Sequence, residues 1–432
     1  MFLVAFHYFI NPLLFLLLYR LVLGKIFSYD FKSVFLGAFF LLNYVQALNV
    51  YWNYEGTFEF LFMCWVVPYL FLFGYVTVRF IGQNIGAACT FKQINTSPLD
   101  RRLFQMRYVG VGYIFLVTIV YIFDKGFENV NLFYILSDNV DEQKAQFLRV
   151  EGLKSNYATV LSALYGYTRA LFLPLMLGFY TYLYSLKKMS LALYVTLLFT
   201  SGFYCLLTGA KAPVAYLILT CTLVFAICNK NFTFKKQVFF VFSALFIPSL
   251  VYPLISGSEG VDIIFDAIEN LWRRVTWVNS YVASLYVSYF DGKPVGFSSY
   301  NLVTSLFDME YFSVSAYLYD QTTPVTATPG GTIDGSFFAS YYAENSWLGF
   351  ILGTIFTGML LSCIELYLFT RKMDGAGVVC LSFCLIGCAQ LTMTGLNNIV
   401  IGRGLVLVPL MLFVIDYVFR KINKRLNNEK LL

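Results

Sequence analysis

WLGFILGTIFTGMLLSCIELYLF (Trp347–Phe369) is a continuous apolar run with no strand-like alternation. About 20 such residues cross a bilayer as a helix. Just before it lies a polar interruption from Ile255 to Ser346, and more apolar runs lie beyond that. The interruption mixes acids, a few cations, many Tyr and Phe, and the turn-rich segment Thr322-Thr323-Pro324-Val325-Thr326-Ala327-Thr328-Pro329-Gly330-Gly331. A loop of that length is too long for a simple connection, and such loops are usually functional.

The chain as a whole agrees with this run. It is 59% hydrophobic and 12% charged, with a mean hydropathy of +0.69. A soluble domain of 432 residues cannot hide that much apolar surface. In a bilayer the surface faces lipid, and backbone groups must then be paired within helices or a closed barrel. Continuous rather than alternating runs select helices, so the predicted fold is an all-α polytopic transmembrane bundle.

Roughly eleven spans are expected, twelve if one is missed near the N-terminus. They lie near 3–19, 33–50, 58–81, 108–123, 159–184, 189–207, 212–228, 237–254, 347–369, 376–394 and 400–419. Met1–Ile10 has no basic residue ahead of its apolar stretch and no small-residue cleavage site after it. It reads as the first span rather than as a cleaved signal. The organisation expected is a helical region 1–254 with a shorter external loop near 125–158, a large external loop 255–346, and a helical region 347–432 ending in a basic tail.

Orientation follows from Lys and Arg. Alternating the loops places Arg20, Lys32, Arg79, Arg101, Lys187, Lys235, Arg371, Lys421 and their neighbours on one side, 20 of the 30 basic residues. The positive-inside rule makes that side cytoplasmic. Most acids, including those from Glu259 to Glu344, fall opposite, so the Ile255–Ser346 loop is expected outside the cytoplasm. The net charge of +6 carries no nucleic-acid signal.

The informative cations are those left on the acidic side or within spans: Lys125, Lys144, Arg149, Lys154, Arg169, Lys211, Arg273, Arg274, Lys293 and Arg403. An Arg at mid-membrane costs about 2.5–3.5 kcal/mol on insertion scales, so such residues usually have a role. Arg169 falls inside the fifth span. Lys211 sits in the tight turn Thr208-Gly209-Ala210-Lys211-Ala212-Pro213, and Arg403 in Gly402-Arg403-Gly404. Together they could collect one polyanion, since Arg matches phosphate oxygens with a planar fork and Lys offers a compact charge. Taken singly, each could equally snorkel to the interface or pair with an acid. Arg273 and Arg274 lie in 262–290, whose apolar positions Ile263, Ile264, Ala267, Leu271 and Val275 predict one amphipathic helix on the membrane surface.

The loop's aromatics, among them Tyr281, Tyr286, Tyr300 and Tyr342, could stack on sugar rings or form an interfacial belt. Its acids include Asp334, after the Gly-rich turn, and Glu344, just before the ninth span. Either could take a proton from an acceptor hydroxyl, and either could simply cap a helix N-terminus. The nine cysteines lie in apolar runs apart from Cys89, which argues against a disulfide framework. Cys380, Cys384 and Cys388 fall on one helix face, as in small-residue packing. The single histidine, His7, excludes a histidine-based metal site.

Several of these stretches, in order, resemble the Wzy family of bacterial O-antigen and oligosaccharide repeat-unit polymerases. Arg169-Ala170-Leu171-Phe172-Leu173-Pro174 is similar to the family's Arg at the head of a Pro-containing helix, and Thr208-Gly209-Ala210-Lys211 to its Gly-small-cation turn. Arg273-Arg274 resembles the opening of the long external loop. Asp334-Gly335-Ser336-Phe337 through Asn345-Ser346-Trp347-Leu348-Gly349 resembles the passage into the following helix, with Asn345-Ser346 where Phe-Gly is common. Gly402-Arg403-Gly404 matches a late external Arg.

The resemblance implies a GT-C-like, metal-independent glycosyltransferase of the bacterial inner membrane that needs no cofactor. The donor would be a growing glycan on undecaprenyl pyrophosphate and the acceptor a lipid-linked repeat unit at the periplasmic face, with the C-terminus cytoplasmic. It also allows a chain-length regulator protein as a partner. Arg169, Lys211 and Arg403 would bind pyrophosphate, Arg273 or Arg274 would orient the donor, and Glu344 or Asp334 would be the base. Two rival readings are an O-antigen ligase, which often uses a loop histidine that this loop lacks, and a transporter or flippase of lipid-linked oligosaccharide. A transporter would want a polar path through the membrane and internal repeats; no repeat is visible here.

Overall fold

The computed structural model describes all residues except 24–29, 55, 85–103, 106, 136, 138–143, 145–146, 149–150, 153, 156, 158, 208–210, 230–241, 244–245, 247–248, 251–260, 274–276, 323–331, 372, 397 and 430–432. Among the described residues the chain is helical and contains no strand. Five long helices come first: α1 Phe2–Val22, α2 Phe31–Asn53, α3 Phe58–Gln83, α4 Tyr108–Lys125 and α5 Thr159–Ser185. Two shorter apolar ones follow, α6 Leu191–Leu207 and α7 Lys211–Cys228. The polar interruption supplies α8 Asp262–Arg273 and α9 Asn279–Phe290. The chain closes with α10 Phe337–Thr370, α11 Gly375–Gln390 and α12 Leu407–Glu429.

Six of these, α1 to α5 and α10, are long and apolar enough to cross a membrane, and α6, α7, α11 and the apolar part of α12 are shorter apolar helices. The expected span 237–254 lies largely outside the described residues. The last two expected spans are shorter than the sequence suggests. α11 ends at Gln390, and α12 begins only at Leu407, after a π-helical turn Asn398–Gly402.

The tightest helix pair is α3 with α10. A Cβ on Gly74 would lie 2.1 Å from the Ile355 carbonyl oxygen, and one on Gly358 would lie 2.2 Å from the Phe71 carbonyl oxygen. The backbones therefore touch at two points where only glycine fits. Lipid gives helices no hydrophobic reason to associate, and small residues that permit such packing supply the contact energy. α11 is buried almost all round, between α2, α5 and α7. Its Cys380, Cys384 and Cys388 are free and buried, with the Cys384 thiol 3.7 Å from the Leu405 carbonyl. Large apolar side chains on α1, such as Leu13, Leu17 and Leu21, face outward, as lipid contact requires.

Over 262–290 the described parts, α8 and α9, differ in character, and residues 274–276 between them lie outside the described residues. α8 exposes Phe265, Ile268 and Trp272 along one face. α9 is instead packed into the bundle: Ala283, Tyr286 and Val287 are buried, and Ser280 Oγ donates to the Asn43 carbonyl at 2.8 Å. The sequence misleads here because an apolar face looks the same whether lipid or protein covers it.

Polar contacts gather at the two ends of the bundle. At one end Asn43 Nδ2 donates to the Thr392 carbonyl at 2.8 Å, Phe337 N to the Leu391 carbonyl at 3.2 Å, and Val295 N to the Ala343 carbonyl at 3.0 Å. At the other, buried Glu365 accepts from Phe31 N at 2.7 Å and from the Tyr75 hydroxyl at 2.5 Å, with Arg79 at 3.6 Å. Lys32 and Asp30 pair beside it, and Arg371 meets Asp416 at 3.0 Å and Asp374 at 3.3 Å. Lys32, Arg79 and Arg371 all belong to the set that charge alternation assigns to one side.

Candidate functional site

The first end holds most of the residues singled out from sequence. Arg169 lies in a π-helical turn, Thr168–Phe172, inside α5. Such a turn carries one extra residue, re-aims the side chains around it and is frequent at functional sites. Arg403 follows another π-helical turn, Asn398–Gly402, in the segment between α11 and α12; further such turns, Phe6–Ile10 and Phe40–Tyr44, lie in α1 and α2. Its neighbour Gly404 has φ +75°, and a Cβ there would lie 2.6 Å from Leu171 Cδ1. Glycine thus lets this segment close directly onto the α5 turn that bears Arg169.

The two arginines line one cavity of about 150 Å³, with Tyr216 and Pro213 from α7 and Gly387 and Gln390 from α11. Arg403 Nη1 donates to the Tyr216 hydroxyl at 2.8 Å, and its guanidinium carbon lies 5.6 Å from the centre of the Tyr216 ring. Both guanidinium-bearing residues line this one cavity, and an anion between them would make two charge-assisted contacts.

Asp334 stands beside this cavity. Its Oδ1 accepts from Asn398 Nδ2 at 3.4 Å, and it feels the Arg403 charge. Burial pushes the Asp334 carboxyl above its ordinary value, and Arg403 offsets part of that rise. The residue is not a helix cap, since the N-cap of α10 is Ser336.

Glu344 lies ten residues beyond Asp334, in the upper part of α10 just before its break, and its described partners are side chains rather than backbone amides. It is buried and accepts a short hydrogen bond from the Tyr300 hydroxyl, with Ser299 as a second partner. Desolvation raises the Tyr300 pKa, and the Glu344 charge adds to the rise, so the phenol stays protonated and donates. Immediately after Glu344 the helix breaks: Asn345 has φ −139° and ψ 26°, and Ser346 has φ 56° and ψ −148°. Tyr286 senses both acids, and its hydroxyl donates to the Ile333 carbonyl at 2.8 Å, next to Asp334.

The other sequence candidates stand apart. Arg273 Nη2 pairs with Glu269 at 2.8 Å on the exposed surface of α8, and no described contact joins it to the cavity. Arg274 lies outside the described residues. Lys211 begins α7, one turn before Tyr216, and its side chain lies outside the described residues. Lys125, Lys144 and Lys154 have local partners: Lys125 donates to the Glu151 carbonyl at 2.8 Å, Lys154 pairs with Glu151 at 2.6 Å, and Lys144 lies 4.7 Å above the Tyr134 ring. For these three the bland reading is sufficient.

Tyr216, Asn398, Gln390 and Tyr300 complete the site and were not singled out for such roles by sequence. Only position hinted at two of them. Tyr216 is on the turn after Lys211, and Asn398 is five residues before Arg403.

Comparison with known protein families, with characterised proteins and with solved structures returns no match for this chain.

Proposed function

We propose that the chain is a lipid-carrier-dependent glycosyltransferase of the repeat-unit polymerase type. It would transfer a growing glycan from a lipid diphosphate to a lipid-linked repeat unit at the Arg403 end of the bundle, taken as the periplasmic face. The observation that carries the reading is the convergence of Arg169 and Arg403 on one cavity, with Asp334 beside it and the Glu344–Tyr300 pair at the same end. At about 150 Å³ the cavity suits a head group rather than a whole substrate, whose pockets run to about 300–1,000 Å³.

The acceptor hydroxyl oxygen attacks the anomeric carbon of the donor sugar. The bond from that carbon to the diphosphate oxygen breaks, and its electron pair leaves with the diphosphate. Arg169 and Arg403 meet the charge that develops there, an electrostatic contribution of the oxyanion-hole kind. Asp334 or Glu344 takes the hydroxyl proton. The strained backbone at Ser346 supports the resemblance, because it falls where a glycine is common in the polymerases.

A flippase is less well supported. The Arg371 end is held by buried pairs among Arg371, Asp374, Asp416, Glu365 and Arg79, which work against a polar path through the bundle. Arg403→Ala and Arg169→Ala are each expected to cut polymer synthesis by about 10²-fold or more, the scale of losing one charge-stabilising donor. The measurement is the length of surface glycan in cells carrying each variant at matched membrane abundance. Wild-type chain lengths in both variants would remove the diphosphate assignment.

A further inference from the structure

A second cavity runs alongside the first and extends past it. It is a groove of about 600 Å³, almost wholly apolar, between α4, α5, α11 and α12. Two helices run continuously from one cavity to the other. On α5, Arg169 lines the basic cavity and Phe172, Met176 and Phe179 line the groove, at steps of three and four residues along one face. On α11, Gln390, Gly387 and Phe383 line the basic cavity and Cys380 and Ala376 line the groove, again at steps of three and four. From Gln390 to Ala376 the helix advances about 21 Å. The groove is open sideways, where Met411 of α12 and Val109 of α4 are 41% and 63% exposed.

We infer that this groove holds the hydrocarbon tail of a phosphorylated lipid whose head group sits between Arg169 and Arg403. Charge complementarity picks this occupant. A plain hydrocarbon would gain nothing from the positive charge of Arg169 and Arg403 at the upper end, and an apolar helix from another protein would gain nothing from it either. An amphiphile with an anionic head and a long apolar chain satisfies both parts at once, and the lateral opening lets it enter from the bilayer. The inference deepens the diphosphate reading above and rests on it for the chemistry of the head group.

The probe is geranylgeranyl diphosphate carrying a diazirine at the chain end, with purified full-length protein in nanodiscs. Irradiation is expected to label peptides of α4, α5, α11 or α12, and excess inorganic pyrophosphate to reduce the labelling. Met411→Trp and Leu175→Trp, which push bulk into the groove, are expected to weaken binding of geranylgeranyl diphosphate at least tenfold and leave pyrophosphate binding within twofold. Arg403→Ala is expected to weaken both. Labelling of other helices overturns the proposal, as does labelling between two copies of the chain. Equal binding of geranylgeraniol, which has no phosphate, also overturns it, by marking an ordinary lipid contact. Groove variants that still polymerise glycan at wild-type length would remove the groove and leave the polymerase reading standing. Labelled groove peptides in a protein that transfers no glycan would sustain the groove and remove the polymerase.

Discussion

Ser346 holds a backbone conformation, φ 56° and ψ −148°, that L-residues almost never adopt and glycine adopts freely. Such a position stores about 1–3 kcal/mol. Ser346→Gly is therefore expected to raise thermal stability in detergent, by up to roughly that amount, and to leave the helix break intact. A lower melting temperature would show that the Ser346 side chain contributes more than its strain costs. Asp334 gives a prediction in pH. Burial raises its folded-state pKa above the ordinary 3.8, so the folded protein binds the proton more tightly than the unfolded chain does. Stability then rises as pH falls through the raised value, and the gain is complete near the ordinary one. Asp334→Asn is expected to flatten that slope in melts run from neutral pH down to about 4. An unchanged slope would exclude Asp334 as its source. Arg169 and Arg403 were visible in the sequence because a charge inside an apolar run has to be explained. Tyr216, Asn398 and Gln390 were not, because an ordinary polar residue on a membrane helix gains meaning only when another helix brings a partner to it.

At the scale of elements, the α3–α10 contact rests on Gly74 and Gly358, each with a neighbouring carbonyl where a Cβ would go. Gly358→Leu is expected to force the two helices apart and abolish accumulation of folded protein in the membrane, read as loss of a monodisperse peak after extraction. A normal yield with an unchanged melting temperature would show that the helices can separate at little cost. The apolar runs themselves were legible, since continuous hydrophobicity over about 20 residues has one solution in lipid. The helix ends were less so. α12 was expected to begin near Val400 and begins at Leu407, because the π-helical turn Asn398–Gly402 and Gly404 fold the intervening segment back to carry Arg403. That α9 packs into the bundle rather than lying on the membrane surface was not legible, because hydrophobic spacing does not say what covers a face.

Across the whole molecule, the two ends differ in how their charges are met. At the Arg371 end cations meet acids directly: Arg371 lies between Asp374 and Asp416, and its side chain is 6% exposed. At the Arg403 end Arg169 and Arg403 line one cavity, with the Asp334 carboxylate beside it. Removing one member of a buried pair costs about 3–5 kcal/mol, whereas replacing the pair by apolar residues is often neutral. Arg371→Ala is thus expected to destabilise the protein by about 3 kcal/mol, and Arg371→Leu with Asp416→Leu by clearly less, both read by denaturant titration in detergent. An equal loss in the two variants would mean that packing, rather than uncompensated charge, sets the effect.

The break at Asn345–Ser346 has a mechanical consequence. Below it, the longest helix is clamped to its partner by glycine contacts and tied at its foot by Glu365. Above it, the short upper segment that carries Glu344 is held as firmly: Phe337 and Phe338 are buried against Phe35 and Phe39 of α2 and Phe60 of α3. Packing on both sides of the break therefore fixes the angle at which the Glu344 carboxylate meets the Tyr300 hydroxyl. The bend thus works as a bracket: it sets a buried acid at a defined height and heading, and no part of the helix has to move to put it there.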